Sequence, residues 1–131
     1  MLSDAEIETI RSVCSRKKVV AYAILFGSAV KRLLAHSDID LMVGGELSPA
    51  VKADLLMQLT VQLRRQADLI YTRDALCEVV LGAFSSGIVI LVRDRERLKE
   101  DYFKNYRLCD ENRSLKRIRL ERLKRVYGSA S

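Results

Sequence analysis

"LFGSAVKRLLAHSDIDLMVGG", Leu25 to Gly45, decides how this chain folds. One apolar run ends in Phe26-Gly27-Ser28; after nine intervening residues Asp38-Ile39-Asp40 opens a second. Alternate residues of a strand share a face, so Asp38 and Asp40 point the same way. Two such carboxylates repel, and each is costly to bury unpaired. Either they lie on a solvated strand face or turn, or a divalent cation removes the repulsion. Magnesium takes carboxylate oxygens, one or two per ion, with phosphate and water completing the shell. Gly27-Ser28 has two readings as well. It is a common turn dipeptide, yet glycine also lets backbone approach an anion closely, and amides opening a helix bind phosphate. Strand, glycine-serine, short connection and acids within a strand together place phosphate donors beside metal-binding acids. A third acid, Asp68, opens "ADLIYT". It is either a solvated strand start or a residue that the sheet brings beside the first two.

Working outward, Ser3-Asp4-Ala5-Glu6 is a capping box, and Ile7, Ile10 and Cys14 follow at helical spacing to about Ser15. "VVAYAILF", Val19 to Phe26, reads as a buried strand. Ser28 to Ala35 is a candidate short helix. Asp38 to Val43 is the second strand, with Gly44-Gly45 turning the chain. Ser48-Pro49 starts a helix whose Val51, Leu55, Leu59 and Leu63 form an apolar stripe to about Gln66. Ala67 to Thr72 is a third strand. Leu76, Val79, Val80, Ala83 and Phe84 recur at helical spacing until Gly87. Ile88 to Val92 is a fourth strand. Asp94 caps a last helix of about 30 residues, along which Leu98, Tyr102, Tyr106 and Cys109 face one way. The expected class is α/β with about four strands.

The 131 residues suffice for one domain with an appendage, and 49% are apolar, which excludes a disordered chain. No apolar run approaches the roughly 18 residues of a membrane span, and the N-terminus lacks a signal pattern, so a cytoplasmic location is expected. Cys14, Cys77 and Cys109 are odd in number, far apart and in no CxxC pair. They are expected to be reduced thiols rather than disulfides or zinc ligands. The net charge of +6 lies wholly in the tail. Residues 1–94 hold 11 basic and 11 acidic side chains, residues 95–111 hold 5 and 5, and residues 112–127 hold 7 and 1. We therefore expect a domain over 1–94 and a helical extension over 95–131, basic from about 112. Leu115, Ile118, Leu120, Leu123, Val126 and Tyr127 favour a protein interface there over a solvated face or electrostatic RNA binding.

"FGS…SDIDLMV" followed by "ADLIY" resembles the minimal nucleotidyltransferase (MNT) domains of the DNA polymerase β-like superfamily. Among stand-alone chains of this size it is similar to the MntA-like antitoxins of HEPN/MNT toxin–antitoxin pairs. The resemblance covers roughly residues 19–92. It implies a nucleotidyltransferase fold, an α+β mixed sheet flanked by helices. It also implies magnesium, two ions, with ATP as substrate, and transfer of AMP to a tyrosine of a HEPN ribonuclease toxin, the partner. By position, Asp38 and Asp40 bind metal, while Asp68 binds the second ion and acts as base on, or orients, the acceptor hydroxyl. Gly27 and Ser28 hold the triphosphate. Many family members carry Arg after the glycine-serine pair; here Ala29-Val30-Lys31-Arg32 follows, leaving Lys31 and Arg32 as candidates for phosphate-side charge. Two alternatives stand beside this: an antitoxin acting by occlusion, or nucleotidyl transfer to a small molecule or RNA end. His36 reads as an exposed loop residue, and its spacing from Arg32 does not match the HEPN nuclease motif.

Overall fold

The computed structural model describes residues 2–27 and 38–126; within 114–126 it describes the helix backbone and the side chains of Arg117, Ile118, Glu121 and Arg122. The elements run α1 (Asp4–Ser15), β1 (Val20–Phe26), β2 (Ile39–Gly45), α2 (Pro49–Leu63), β3 (Ala67–Tyr71), α3 (Cys77–Ser86), β4 (Ile88–Val92) and α4 (Arg95–Val126). The strands form one mixed sheet in the order β3-β2-β1-β4. β1 is antiparallel to both neighbours, and β2 and β3 are parallel, joined by the α2 crossover.

Both faces of the sheet are covered, which is why β1 reads as an unbroken apolar run. On one face Ala23, Leu25, Ile39, Leu41 and Val43 pack against Ile10, Val13 and Cys14 of α1 and Leu55, Leu59 and Leu63 of α2. On the other, Tyr22, Ile24 and Met42 pack against Val80, Ala83 and Phe84 of α3 and Leu98 of α4. Local signals set the helix starts. The Glu6 amide donates to Ser3 Oγ at 3.2 Å and the Ser3 amide to Glu6 Oε1 at 3.2 Å, closing the capping box. Ser48 Oγ accepts from the Val51 amide, with Pro49 as the first helical residue, and Asp94 Oδ1 accepts from the Arg97 amide. α2 stops at Leu63, short of Gln66, because Arg64 turns left-handed at φ 54°. At the β4 edge the Arg11 guanidinium donates to the Ile90 carbonyl at 2.9 Å, closing part of that edge to another strand. Among the described residues no helix is long and apolar enough to cross a membrane.

Three expectations are corrected. Gly44 and Gly45 do not turn the chain; they finish β2. The Tyr22 ring lies over Gly44, where a Cβ would stand 2.1 Å from it, so this glycine marks a close approach across the sheet. The buried stripe of α4 is also not the one expected. Asp101, Asn105 and Cys109 are buried, whereas Tyr106 is 55% exposed. The phenol of Tyr22 needs a polar partner inside the sheet–helix interface, and Asp101 supplies it at 2.7 Å, which turns the helix by about one position. Finally, Cys77 and Cys109 are not separate thiols: a disulfide joins α3 to α4, with Cα atoms 5.7 Å apart. A separation of 32 residues hides such a pair from the sequence; only helix packing brings the two together. Cys14 is free and fully buried, and burial pushes its thiol up to about 12.

Candidate functional site

The sheet register assembles the acids. In the parallel β2/β3 pair Asp40 stands opposite Asp68, and on its other side Asp40 stands opposite Phe26 of β1. Ile39 and Leu41 turn into the α1/α2 core, so Asp40 and Met42 turn to the opposite face. Directly opposed side chains of neighbouring strands have Cβ atoms about 5 Å apart. Asp38 directly precedes β2. Asp38 and Asp68 are exposed and Asp40 is half-buried.

Gly27 completes this arrangement. It leaves β1 at φ +82°, and a Cβ built there would lie 2.2 Å from Asp40 Oδ2 and 3.1 Å from its Cγ. The end of β1 therefore rests directly against the carboxylate, which is possible only without a side chain. Ser28, Lys31, Arg32 and His36 lie outside the described residues.

The electrostatics of Asp40 follow from these neighbours. Burial raises its pKa first, and the charges of Asp68 and then Asp38 raise it further. Among the described residues none of the three acids is paired with a Lys or Arg. The donor set, all carboxylate oxygen, suits a hard divalent cation, which would reverse the repulsion that raises Asp40. The acids stand apart, as like charges do. Among the described residues only Cys77, Glu78 and Cys109 bring three ligand atoms within 4.8 Å of one another. Exposed side chains such as Asp38 and Asp68 change rotamer readily.

A second polar centre lies at the far ends of β2 and β3. A cleft of ≈ 320 Å³ is lined there by Glu46, Thr72, Arg73, Arg97, Asp101 and Asn105. Glu46 is six residues from Asp40, about 20 Å along an extended strand. Beneath the cleft, Tyr22 Oη lies 2.8 Å from Thr72 Oγ1 and 2.7 Å from Asp101 Oδ2. With one proton to give, the phenol donates to the carboxylate and accepts from the threonine. Arg97 Nε donates to both Asp101 oxygens, at 3.0 and 3.2 Å. Every member of this network has a partner, so it fastens α4 to the sheet rather than holding a reactive group ready. The sequence reading missed Tyr22 and Asp101. Their one local sign is Gly44, whose missing side chain makes room for the phenol.

Comparison with known proteins agrees with this geometry. The family model described as "Polymerase beta, Nucleotidyltransferase" matches residues 8–96. A chain in the solved complex of a tri-AMPylated Shewanella oneidensis HEPN toxin with an MNT antitoxin superposes with a TM-score of 0.71 at 15% identity, covering 93% of this chain and 98% of that one. A chain of a toxin–antitoxin structure with AMP-PNP superposes with a TM-score of 0.69 at 17% identity, covering 93% and 98%. A chain assigned as a minimal nucleotidyltransferase gives a TM-score of 0.56 at 25% identity, covering 64% of this chain and 88% of that one. No curated protein matches the sequence.

Proposed function

Since the chain belongs to the polymerase beta nucleotidyltransferase family, we propose that it transfers AMP from ATP to a tyrosine of a HEPN ribonuclease toxin, which it thereby silences. The observation that carries the reading is Asp40 in register with Asp68, with Gly27 packed on its carboxylate. The partner is supported by the HEPN toxin–MNT antitoxin complex, a chain of which is matched over 98% of its length. The nucleotide is supported by AMP-PNP in a second such structure.

In this reading Asp38 and Asp40 hold magnesium, and Asp68 faces the acceptor. Two bound ions would neutralise the triphosphate and stabilise the attacking and leaving oxygens. The main chain at Gly27, close against Asp40, brings the triphosphate to the acids, with Ser28 as a phosphate donor and Lys31 and Arg32 supplying charge. Asp68 orients the tyrosine hydroxyl and takes its proton. The hydroxyl oxygen bonds to the α-phosphorus, the bond from that phosphorus to the bridging oxygen breaks, and pyrophosphate leaves. The proton passes from Asp68 to solvent. Beyond this the protein's contribution is positioning on rigid strands.

The test is to incubate the full chain with magnesium, ATP labelled at the α-phosphate and the HEPN-domain protein encoded beside it. Label on that protein is expected from wild type and none from Asp38→Asn/Asp40→Asn. Transfer by the variant at the wild-type rate, or none by wild type, rules the proposal out.

A further inference from the structure

Cys77 is the first residue of α3, and Cys109 lies midway along α4. Before Cys109, α4 is fastened without the disulfide. Leu98 packs into the core, Asp101 accepts from Tyr22, and Tyr102 meets Phe84 edge-on at 5.3 Å. Past Cys109 the attachments seen among the described side chains are few. Asn112 Nδ2 lies 3.9 Å from Cys77 Sγ, and Arg113 lines a small cleft with Leu81, Tyr106, Cys109 and Asp110. Farther along, Arg117, Ile118, Glu121 and Arg122 are exposed. Among the described side chains, those of Arg113, Arg117, Ile118, Glu121 and Arg122 make no hydrogen bond or ion pair to the body. The disulfide thus sits where the helix leaves the domain, at the start of the segment that holds the whole net charge.

We propose that Cys77 and Cys109 form a reversible oxidation site whose bond pins α4 to α3 at the root of its basic half, and whose reduction leaves that root free to part from α3. Reversibility follows from the packing. The contacts of Leu98 and Tyr102 hold α3 against α4 about two to three turns before the bond, so the two thiols stay within reach of each other after reduction. Access follows from the cleft that Cys109 lines with Leu81, Tyr106, Asp110 and Arg113. One thiolate attacks a peroxide oxygen, breaking the O–O bond and leaving a sulfenic acid and water. The second sulfur displaces the sulfenic oxygen as water and the S–S bond forms; the sulfurs together pass two electrons to hydrogen peroxide, which becomes two waters. A dithiol reverses this by thiol–disulfide exchange. Cys14, sealed in the α1/α2 core, takes no part.

The experiment uses the full chain, reduced with dithiothreitol and then treated or not with hydrogen peroxide. Intact mass and peptide mapping read the bond, and limited trypsin digestion reads how firmly 113–125 is held. Peroxide is expected to link the Cys77 and Cys109 peptides, leave Cys14 free and slow cleavage in 113–125 several-fold. Cys77→Ser and Cys109→Ser should cleave at the reduced rate with or without peroxide, and Cys14→Ser should behave as wild type. Equal cleavage in both redox states overturns the proposal, as do thiols that stay unlinked. So does zinc held by the reduced chain on Cys77, Cys109 and Glu78 that blocks linkage. Any effect on a partner rests on the proposed function. This experiment needs no partner, so the two fail separately.

Discussion

Replacing Asp40 by asparagine should stabilise the metal-free chain while removing its response to magnesium. Asp40 is half-buried between Gly27 and Asp68, and its pKa is raised by burial, then by Asp68, then by Asp38. Two carboxylates about 5 Å apart repel by ~0.8 kcal/mol in bulk water and ~3 kcal/mol at an effective dielectric of about 20. Asp38 and Asp68 are exposed, so the screened end applies, and two such neighbours give about 1–2 kcal/mol. For a domain of this length that raises Tm by about 4–7 °C. The sign with pH follows from the raised pKa. The folded chain holds Asp40's proton more tightly than the unfolded chain, so wild-type stability falls as pH rises from the ordinary carboxylate value through the raised one. The advantage of Asp40→Asn should therefore be absent below that window and complete above it. Thermal melts in chelator and in magnesium, from pH 3 to pH 7, check this (about the span over which carboxylates titrate). Magnesium should raise the wild-type Tm and leave the variant's unchanged. A variant that melts below wild type in chelator at neutral pH, or an equal magnesium shift in both proteins, refutes the reasoning.

Gly27→Ala places a methyl group 2.2 Å from Asp40 Oδ2 at a left-handed backbone position. It should cost about 1–3 kcal/mol by denaturant titration and lower the proposed AMP transfer by roughly 100-fold by moving the carboxylate. Gly44→Ala drives a methyl group into the Tyr22 ring and should destabilise by about 1–3 kcal/mol, read from the denaturation midpoint. Tyr22→Phe leaves Thr72 and Asp101 without their shared partner and should cost about 1–3 kcal/mol in the same assay. Amide hydrogen exchange should then quicken in the first half of α4, which that network fastens.

What the sequence discloses and what it hides divide along physical lines. Strands covered on both faces announce themselves as apolar runs, and Ser3, Ser48 and Asp94 announce helix starts because a short polar side chain is needed there. Asp38 and Asp40 stand out because charge inside an apolar run is expensive and demands a reason. Asp68 joins them through the parallel register of β2 and β3, which its place at the head of a strand suggests. Gly44 misleads because the same residue serves a turn and a close ring contact. On α4 the stripe Leu98, Tyr102, Tyr106, Cys109 and the buried stripe Leu98, Asp101, Asn105, Cys109 lie side by side on the helix. Hydrophobicity selects the first, while the phenol of Tyr22, far away in sequence, selects the second. The Cys77–Cys109 pair depends on how two helices cross, and no local pattern records that.

The measurement that bears most directly on the proposed activity is the intact mass of the proposed HEPN-domain partner after incubation with this protein and ATP. In magnesium, the mass should rise by whole AMP units, with the added group mapping to a tyrosine. In chelator, or with Asp38→Asn/Asp40→Asn, it should not change. An unchanged partner in the presence of a stable complex, wild-type protein, ATP and magnesium would contradict the account and favour action by binding alone.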